Sequence, residues 1–231
     1  MKLYGLQKMT LLDFPGFVAC TVFTGGCNLR CPFCHNALLV TQLDDSSIIC
    51  DDEFFKFLKT RSGLLDGVCI TGGEPLMQPD IEEFIIKIKE LGFKVKLDTN
   101  GFYPEKLKAL LEKNLLDFVA VDIKNCKEKY AQTVGLSNLD LAPIESTVEF
   151  LLSQAQVDFE FRTTVSSPLH EVEDIKKIAK WIKGTKHYYL QNFVDSGNLI
   201  GENITSLNKE TLNKMLQAAK GIIPSTQLRG I

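Results

Sequence analysis

Short apolar runs rich in β-branched residues recur at 17–23, 67–71, 94–98, 118–123, 157–165 and 187–193. Continuous runs of this length suit strands buried on both faces. Between them, apolar residues return every three or four positions. In 80–92, Ile81, Phe84, Ile85, Ile88 and Leu91 share one helical face, Asp80 with Glu83 reads as a capping pair, and Gly92 reads as the stop. The 104–114 segment opens on a first-turn proline and places Leu107, Leu110 and Leu111 together. Segments 143–155, 171–183 and 206–221 repeat the pattern, and 51–60 does so more weakly. Six strands alternating with helices predict an α/β fold with a parallel sheet and right-handed crossovers, either curled into a barrel-like shell or open and doubly wound. No repeat, low-complexity tract or linker divides the chain, so a single domain over residues 1–231 is expected.

The unusual polar residues lie just past the ends of these strands. TGGC follows the first, TGGEP the second, DTNG the third and DIK the fourth, with RTT in the fifth and QN near the sixth. Ligands of parallel α/β folds bind at the carboxyl ends of the strands, so all six groups point to one mouth.

Composition narrows the setting. With 231 residues, 45% of them hydrophobic and 24% charged, the chain has the makeup of an ordinary globular protein with one sizeable core. A net charge of −3 gives no reason to expect nucleic acid or an anionic membrane as partner. No leader-like start and no membrane-length apolar run is visible, and seven cysteines, an odd number and mostly isolated, argue for free thiols in a reducing compartment. A cytoplasmic protein is expected.

Three of those cysteines, Cys27, Cys31 and Cys34, fall within eight positions in the stretch TGGCNLRCPFCHN, the loop 24–36 after the first predicted strand. Buried core cysteines are common, but the neighbouring Gly25, Gly26, Asn28 and Pro32 do not suit a packed strand or helix. A structural zinc site needs a fourth ligand; His35 is available but adjoins Cys34, and no second CxxC exists. A thiol redox pair leaves one cysteine unexplained. An iron–sulfur cluster held by three thiolates fits better, because one of four irons then stays open for a non-protein ligand. Cys20 and Cys69 lie in strand patterns and are expected in the core, while Cys50 and Cys126 stand alone.

CxxxCxxC with Phe33 before its last cysteine, together with Gly72, Gly73 and Glu74, resembles the signature of the radical S-adenosylmethionine (radical SAM) enzymes. Within them, GCNLRCPFCHN, LDTNGF (97–102) and VDIK (121–124) look like the activating enzymes of glycyl radical enzymes. The stretch 5–36 is most similar to the anaerobic ribonucleoside-triphosphate reductase activating branch; the last third of the chain matches only by its helix and strand pattern. The resemblance implies a partial (β/α)6 TIM-like barrel with one 4Fe-4S cluster. Its open iron would chelate SAM, which is cleaved reductively to methionine and a 5'-deoxyadenosyl radical. It further implies an electron donor such as flavodoxin or ferredoxin, and a glycyl radical enzyme as protein substrate. Radical SAM chemistry on a small molecule, as in 7-carboxy-7-deazaguanine synthesis, and a non-catalytic zinc-binding module are the alternatives.

Carried over residue by residue, the resemblance makes Cys27, Cys31 and Cys34 the cluster ligands and sets Phe33 and His35 against the adenine. Gly72, Gly73 and Glu74 would take the methionine amino group, with Asn100 in the next turn. Asp98 and Asp122 end adjacent strands and would repel unless something positive lies between them; in the family a monovalent cation can do so. Lys124 and Arg162 would contact SAM, with a surface salt bridge as the plain alternative. Where pyruvate formate-lyase activases carry a histidine after the sixth strand, this chain has Gln191 and Asn192.

Overall fold

A computed structural model describes residues 1–230. Eight strands form one sheet in strict chain order: β1 (Leu3–Thr10), β2 (Ala19–Thr24), β3 (Gly67–Gly72), β4 (Lys94–Thr99), β5 (Phe118–Asp122), β6 (Asp158–Val165), β7 (Tyr188–Asn192) and β8 (Gln227–Arg229). β1 runs antiparallel to β2 and every later pair is parallel. The order never reverses, which excludes the doubly wound alternative and leaves the curled one. β1 and β8 do not pair with each other, so the barrel stays open along one side.

The six expected strands appear as β2–β7, with edges within two residues of the apolar runs. β1 and β8 were not foreseen. In β1 the buried and exposed positions follow no period of two, because only Leu3 and Thr10 are fully buried, and β8 is three residues long.

The helices, in chain order, are α1 (Leu38–Thr41), α2 (Asp51–Lys59), α3 (Ile81–Glu90), α4 (Pro104–Glu112), α5 (Tyr130–Thr133), α6 (Ala142–Ser153), α7 (Val172–Trp181) and α8 (Lys209–Lys220). α3 buries Ile81, Phe84, Ile85 and Ile88, and Gly92 follows it at φ +84° as a stop should. Asp80, however, makes no side-chain cap; its carboxylate lies 2.8 Å from the amine of Met1, a stronger partner than a peptide N–H.

Alternation along the strands separates two environments. In β3, Val68 and Ile70 join the apolar layer under the helices, while Thr71 faces the barrel interior. Lys96 and Asp98 in β4 do the same from alternate positions between buried Val95 and Leu97. The shell between sheet and helices is apolar, and the inside of the barrel is polar. No helix among the described residues is long and apolar enough to cross a membrane.

Candidate active site

The loop after β2 is pinned at three places by glycines that leave no room for a side chain. Gly73 N–H donates to Thr24 O (2.9 Å) and Glu74 N–H to Gly26 O (2.8 Å), and a Cβ on Gly73 would collide with Gly26 O. Arg30 N–H donates to Val134 O (2.9 Å), where a Cβ on Gly135 would strike Arg30 O. Gly201 N–H donates to Pro32 O (3.0 Å), and a side chain there would meet Pro32. Asn36 adds a side-chain bond to Gly72 O at 3.0 Å. The loop has no regular secondary structure of its own, and its shape is set by these backbone bonds.

Cys27, Cys31 and Cys34 all border one cavity of about 620 Å³. Burial pushes each thiol up, Cys31 to about 12. Cys27 Sγ accepts from Leu29 N–H (3.4 Å) and from the Asn100 amide (3.7 Å). Three soft thiol donors bordering one roomy cavity fit the donor chemistry of a cluster with one iron left open. Of the other cysteines, Cys20, Cys69 and Cys126 are buried and Cys50 is exposed ahead of α2.

Gly72, Gly73 and Asn100 line the cavity beside the cysteine loop, and Phe33 and His35 line it from within that loop. Phe33 is almost fully buried and meets His170 edge to face, with centroids 6.1 Å apart. His170 was not singled out from the sequence. Its Nδ1 accepts from Ser166 N–H (3.2 Å), which leaves Nε2–H to donate to Lys124 O (2.8 Å). The neutral ring, its pKa lowered by burial, thus ties the end of β5 to the cysteine loop. His35 is exposed, and its carbonyl accepts from Ser196 Oγ at 3.4 Å.

Asp98, Asp122, Lys124 and Arg162 line the cavity as one ion-paired unit. Arg162 Nη1 lies 3.0 Å from Asp98 Oδ2 and Arg162 Nε 3.0 Å from Asp122 Oδ1. Lys96 takes Asp98 Oδ1, and Lys124 takes Asp122 Oδ2 at 3.1 Å. Burial alone would raise both carboxyls, but Arg162 with Lys96, and Arg162 with Lys124, hold them below the usual carboxylate range. The positive group between the aspartates is therefore Arg162, and all four carboxylate oxygens already face protein cations. The plain surface salt bridge does not describe Lys124 or Arg162, with side chains only 16% and 12% exposed.

Lys96, Glu160 and Arg229 extend this network and were missed. Arg229 grips Glu160 with two bonds of 2.8 and 2.9 Å and covers the Tyr189 ring at 3.7 Å. The visible signal was the alternation itself: KVKLD and FEFR set charged residues two apart inside apolar strands. Gln191 and Asn192 both line the cavity, and the Asn192 side-chain amide is paired with the Leu207 backbone through two bonds of 3.0 Å.

Glu74 is the one predicted site residue absent from the cavity wall. It is fully buried behind it, accepting from Thr99 Oγ1 (2.7 Å), Asn100 N–H (2.7 Å) and Leu76 N–H (3.0 Å). It positions the turn that presents Asn100. Burial raises its carboxyl to about 7 against the pull of those three bonds. Because the folded-state value lies above the ordinary 4.5, the folded protein keeps this proton longer than the unfolded chain. Its contribution to stability is full below pH 4.5 and falls, by up to about 3 kcal/mol, as pH rises through 7. Glu74→Gln should flatten that slope in urea titrations between pH 5 and 8. It should also cost about 1–3 kcal/mol at pH 5.5, since one amide N–H₂ must face a backbone N–H.

Comparison with known proteins agrees with this geometry. The profile of the family described as "Radical SAM superfamily" matches residues 21–182. A Methanocaldococcus jannaschii protein, provisionally described as a glycyl-radical enzyme activating enzyme, is 33% identical over 193 residues, covering 82% of this chain and 78% of that one. The pyruvate formate-lyase-activating enzyme of Listeria monocytogenes is 29% identical over 194 residues, covering 79% of this chain and 76% of that one. Among solved structures, Streptococcus suis SuiB bound to its precursor peptide SuiA superposes with a TM-score of 0.71 at 13% identity. That match covers 91% of this chain and 48% of SuiB, so the chain spans about half the length of that relative in fold.

Proposed function

The chain belongs to the radical SAM superfamily, an oxidoreductase family that works with a 4Fe-4S cluster and SAM, and on that premise we propose that it activates a glycyl radical enzyme. The partner we propose is anaerobic ribonucleoside-triphosphate reductase, on the strength of the motif GLQKMTLLDFPGF ahead of the cysteines. The reading takes residues 1–231 as one radical SAM domain with its cluster loop at 24–36, working in the cytoplasm with a low-potential flavodoxin or ferredoxin as electron donor.

The observation that carries the reading is the convergence of three thiols and the glycine end of β3 on one cavity. Cys27, Cys31 and Cys34 would hold the cluster. Gly72 and Gly73, bare of side chains at the wall, would let the methionyl end of SAM approach the backbone. Phe33 and His35 would flank the adenine, with Glu74 holding the Asn100 turn from behind. When bound and reduced, the cluster and SAM together supply a carbon radical that takes a hydrogen atom from a glycine Cα. The protein's part is positioning and the exclusion of water. Lys96, Lys124, Arg162 and Arg229 face Asp98, Asp122 and Glu160 in the ion-paired unit, and with Asp13 on the same cavity wall the fixed charges balance, so the unit would position a ligand by directed hydrogen bonds. No general base is required, because a hydrogen atom and not a proton is removed.

The test is anaerobic incubation of the reconstituted protein with SAM, dithionite and anaerobic ribonucleoside-triphosphate reductase. A glycyl radical signal in electron paramagnetic resonance (EPR) is expected. SAM cleavage without that signal, but with turnover of a small-molecule acceptor, would defeat the activating role while leaving the superfamily chemistry intact.

A further inference from the structure

Asn100 lines the cavity in the turn that follows β4, yet its side chain is only 6% exposed. Asparagine before glycine is the ordinary makeup of a tight turn, and its carbonyl does serve that turn: Phe102 N–H donates to Asn100 Oδ1 at 3.1 Å. The backbone of the turn is held as well, since Asn100 N–H donates to Glu74 Oε2 (2.7 Å) and Thr147 Oγ1 to Gly101 O (2.7 Å). With Oδ1 fixed by a backbone donor the amide has one orientation, and its NH₂ points to the cysteine loop.

There the NH₂ meets Cys27 Sγ at 3.7 Å and Asn28 Oδ1 at 2.7 Å. An asparagine amide carries two N–H groups, so both are engaged within the protein. A plain turn residue would leave this amide in water, and a residue reserved for SAM would keep one donor free for it. Among the described residues Asn100 is the only side chain that donates to any of the three cavity thiols.

We infer that Asn100 is a positioning residue that acts on the cluster through Cys27, setting how readily the cluster is reduced and not how tightly SAM is held; the inference rests on the three-thiolate reading proposed above. When the cluster takes up one electron from its donor, part of the added negative charge falls on the thiolate sulfurs. A directed N–H stabilises that reduced form more than the oxidised one, so hydrogen bonds to the sulfurs raise the potential and loss of the Asn100 donor lowers it. Loosening of the turn acts in the opposite sense, because water that reaches the sulfurs also stabilises the reduced form. The sign of the shift therefore separates a lost donor from a damaged turn.

Two variants test this. Asn100→Ser keeps an oxygen for Phe102 N–H but is too short to reach Cys27, and Asn100→Asp keeps the shape while placing a carboxylate oxygen where the NH₂ was. Wild type and both variants are reconstituted anaerobically with iron and sulfide, and their clusters are titrated with dithionite in the absence of SAM, the reduced form being read by EPR. At the solution potential that half-reduces the wild-type cluster, the reduced fraction should fall about threefold in Asn100→Ser and further in Asn100→Asp. The dissociation constant for SAM, from equilibrium dialysis against the oxidised proteins, should stay within about threefold of wild type. Unchanged potentials in both variants, or a shift to higher potential, would overturn the inference. So would a SAM affinity weakened about tenfold at an unchanged potential, which would return Asn100 to the ligand. If wild type itself retains no cluster, the three-thiolate reading falls and the inference with it, whereas a wild-type cluster with unshifted variants removes the role of Asn100 alone.

Discussion

An Arg162→Met variant is expected to lose about 3–5 kcal/mol of folding stability at pH 7, a large share of the 5–15 kcal/mol typical of a domain. Among the described residues Arg162 is the only side chain bonded to both Asp98 and Asp122, through different atoms of one planar group. Without it, Lys96 and Lys124 each keep one carboxylate, and the two oxygens that Arg162 had paired are left without a cationic partner on the cavity wall. Methionine fills the space but offers no donor. Arg162→Lys should recover only part of the loss, because one ammonium cannot span both bonds.

The pH dependence separates this from simple loss of packing. Both aspartates have depressed folded-state values, so their stabilising contribution is present at neutral pH and is lost as pH falls through those values. In the variant, burial and the facing carboxylate are opposed only by Lys96 and Lys124 and the carboxyls rise, so acid lets them protonate and relieves the penalty. The gap between wild type and variant, read from urea midpoints, should therefore narrow from pH 7 to pH 4. A gap independent of pH would show that Arg162 matters only for its volume.

This unit also shows where the sequence was readable and where it was not. Residues just past strand ends could be assigned to the mouth because parallel α/β topology puts every such end on one side. Asp98, Asp122, Lys124 and the GG pair were legible on that ground. The same reasoning predicted that something positive must separate the two aspartates, yet the choice of Arg162 depends on which of several long side chains reaches them. Reach across strands is a property of the folded barrel. Glu74 was assigned to the ligand because it adjoins Gly73 in sequence, but extended backbone sends neighbouring side chains to opposite faces, and it points back to Thr99 and Asn100. β1 left little trace because a half-exposed edge strand of an open barrel has no uniformly apolar face to display. The capping role read into Asp80 failed for a related reason: the Met1 amine that captures it is separated from it in sequence by five elements, β1, β2, α1, α2 and β3.

Replacing Cys31 with alanine is expected to abolish SAM cleavage while barely changing the fold. Cys31 is the deepest of the three cavity thiols, only 8% exposed. Removing one sulfur from a packed site costs on the order of 1 kcal/mol, as other single-group deletions do. If the thiol were merely core packing, that small cost would be the whole effect. As a cluster ligand, its loss leaves two thiolates where the open-iron arrangement needs three, so iron and sulfide retained after anaerobic reconstitution should fall severalfold and cleavage under dithionite should drop to background. Cys69→Ala is the matched control: it is fully buried, of the same size, and faces Lys96 and not the cavity wall. It should show a comparable stability loss with full iron content. Equal iron in both variants would remove Cys31 from the ligand set, and the three-thiolate reading with it.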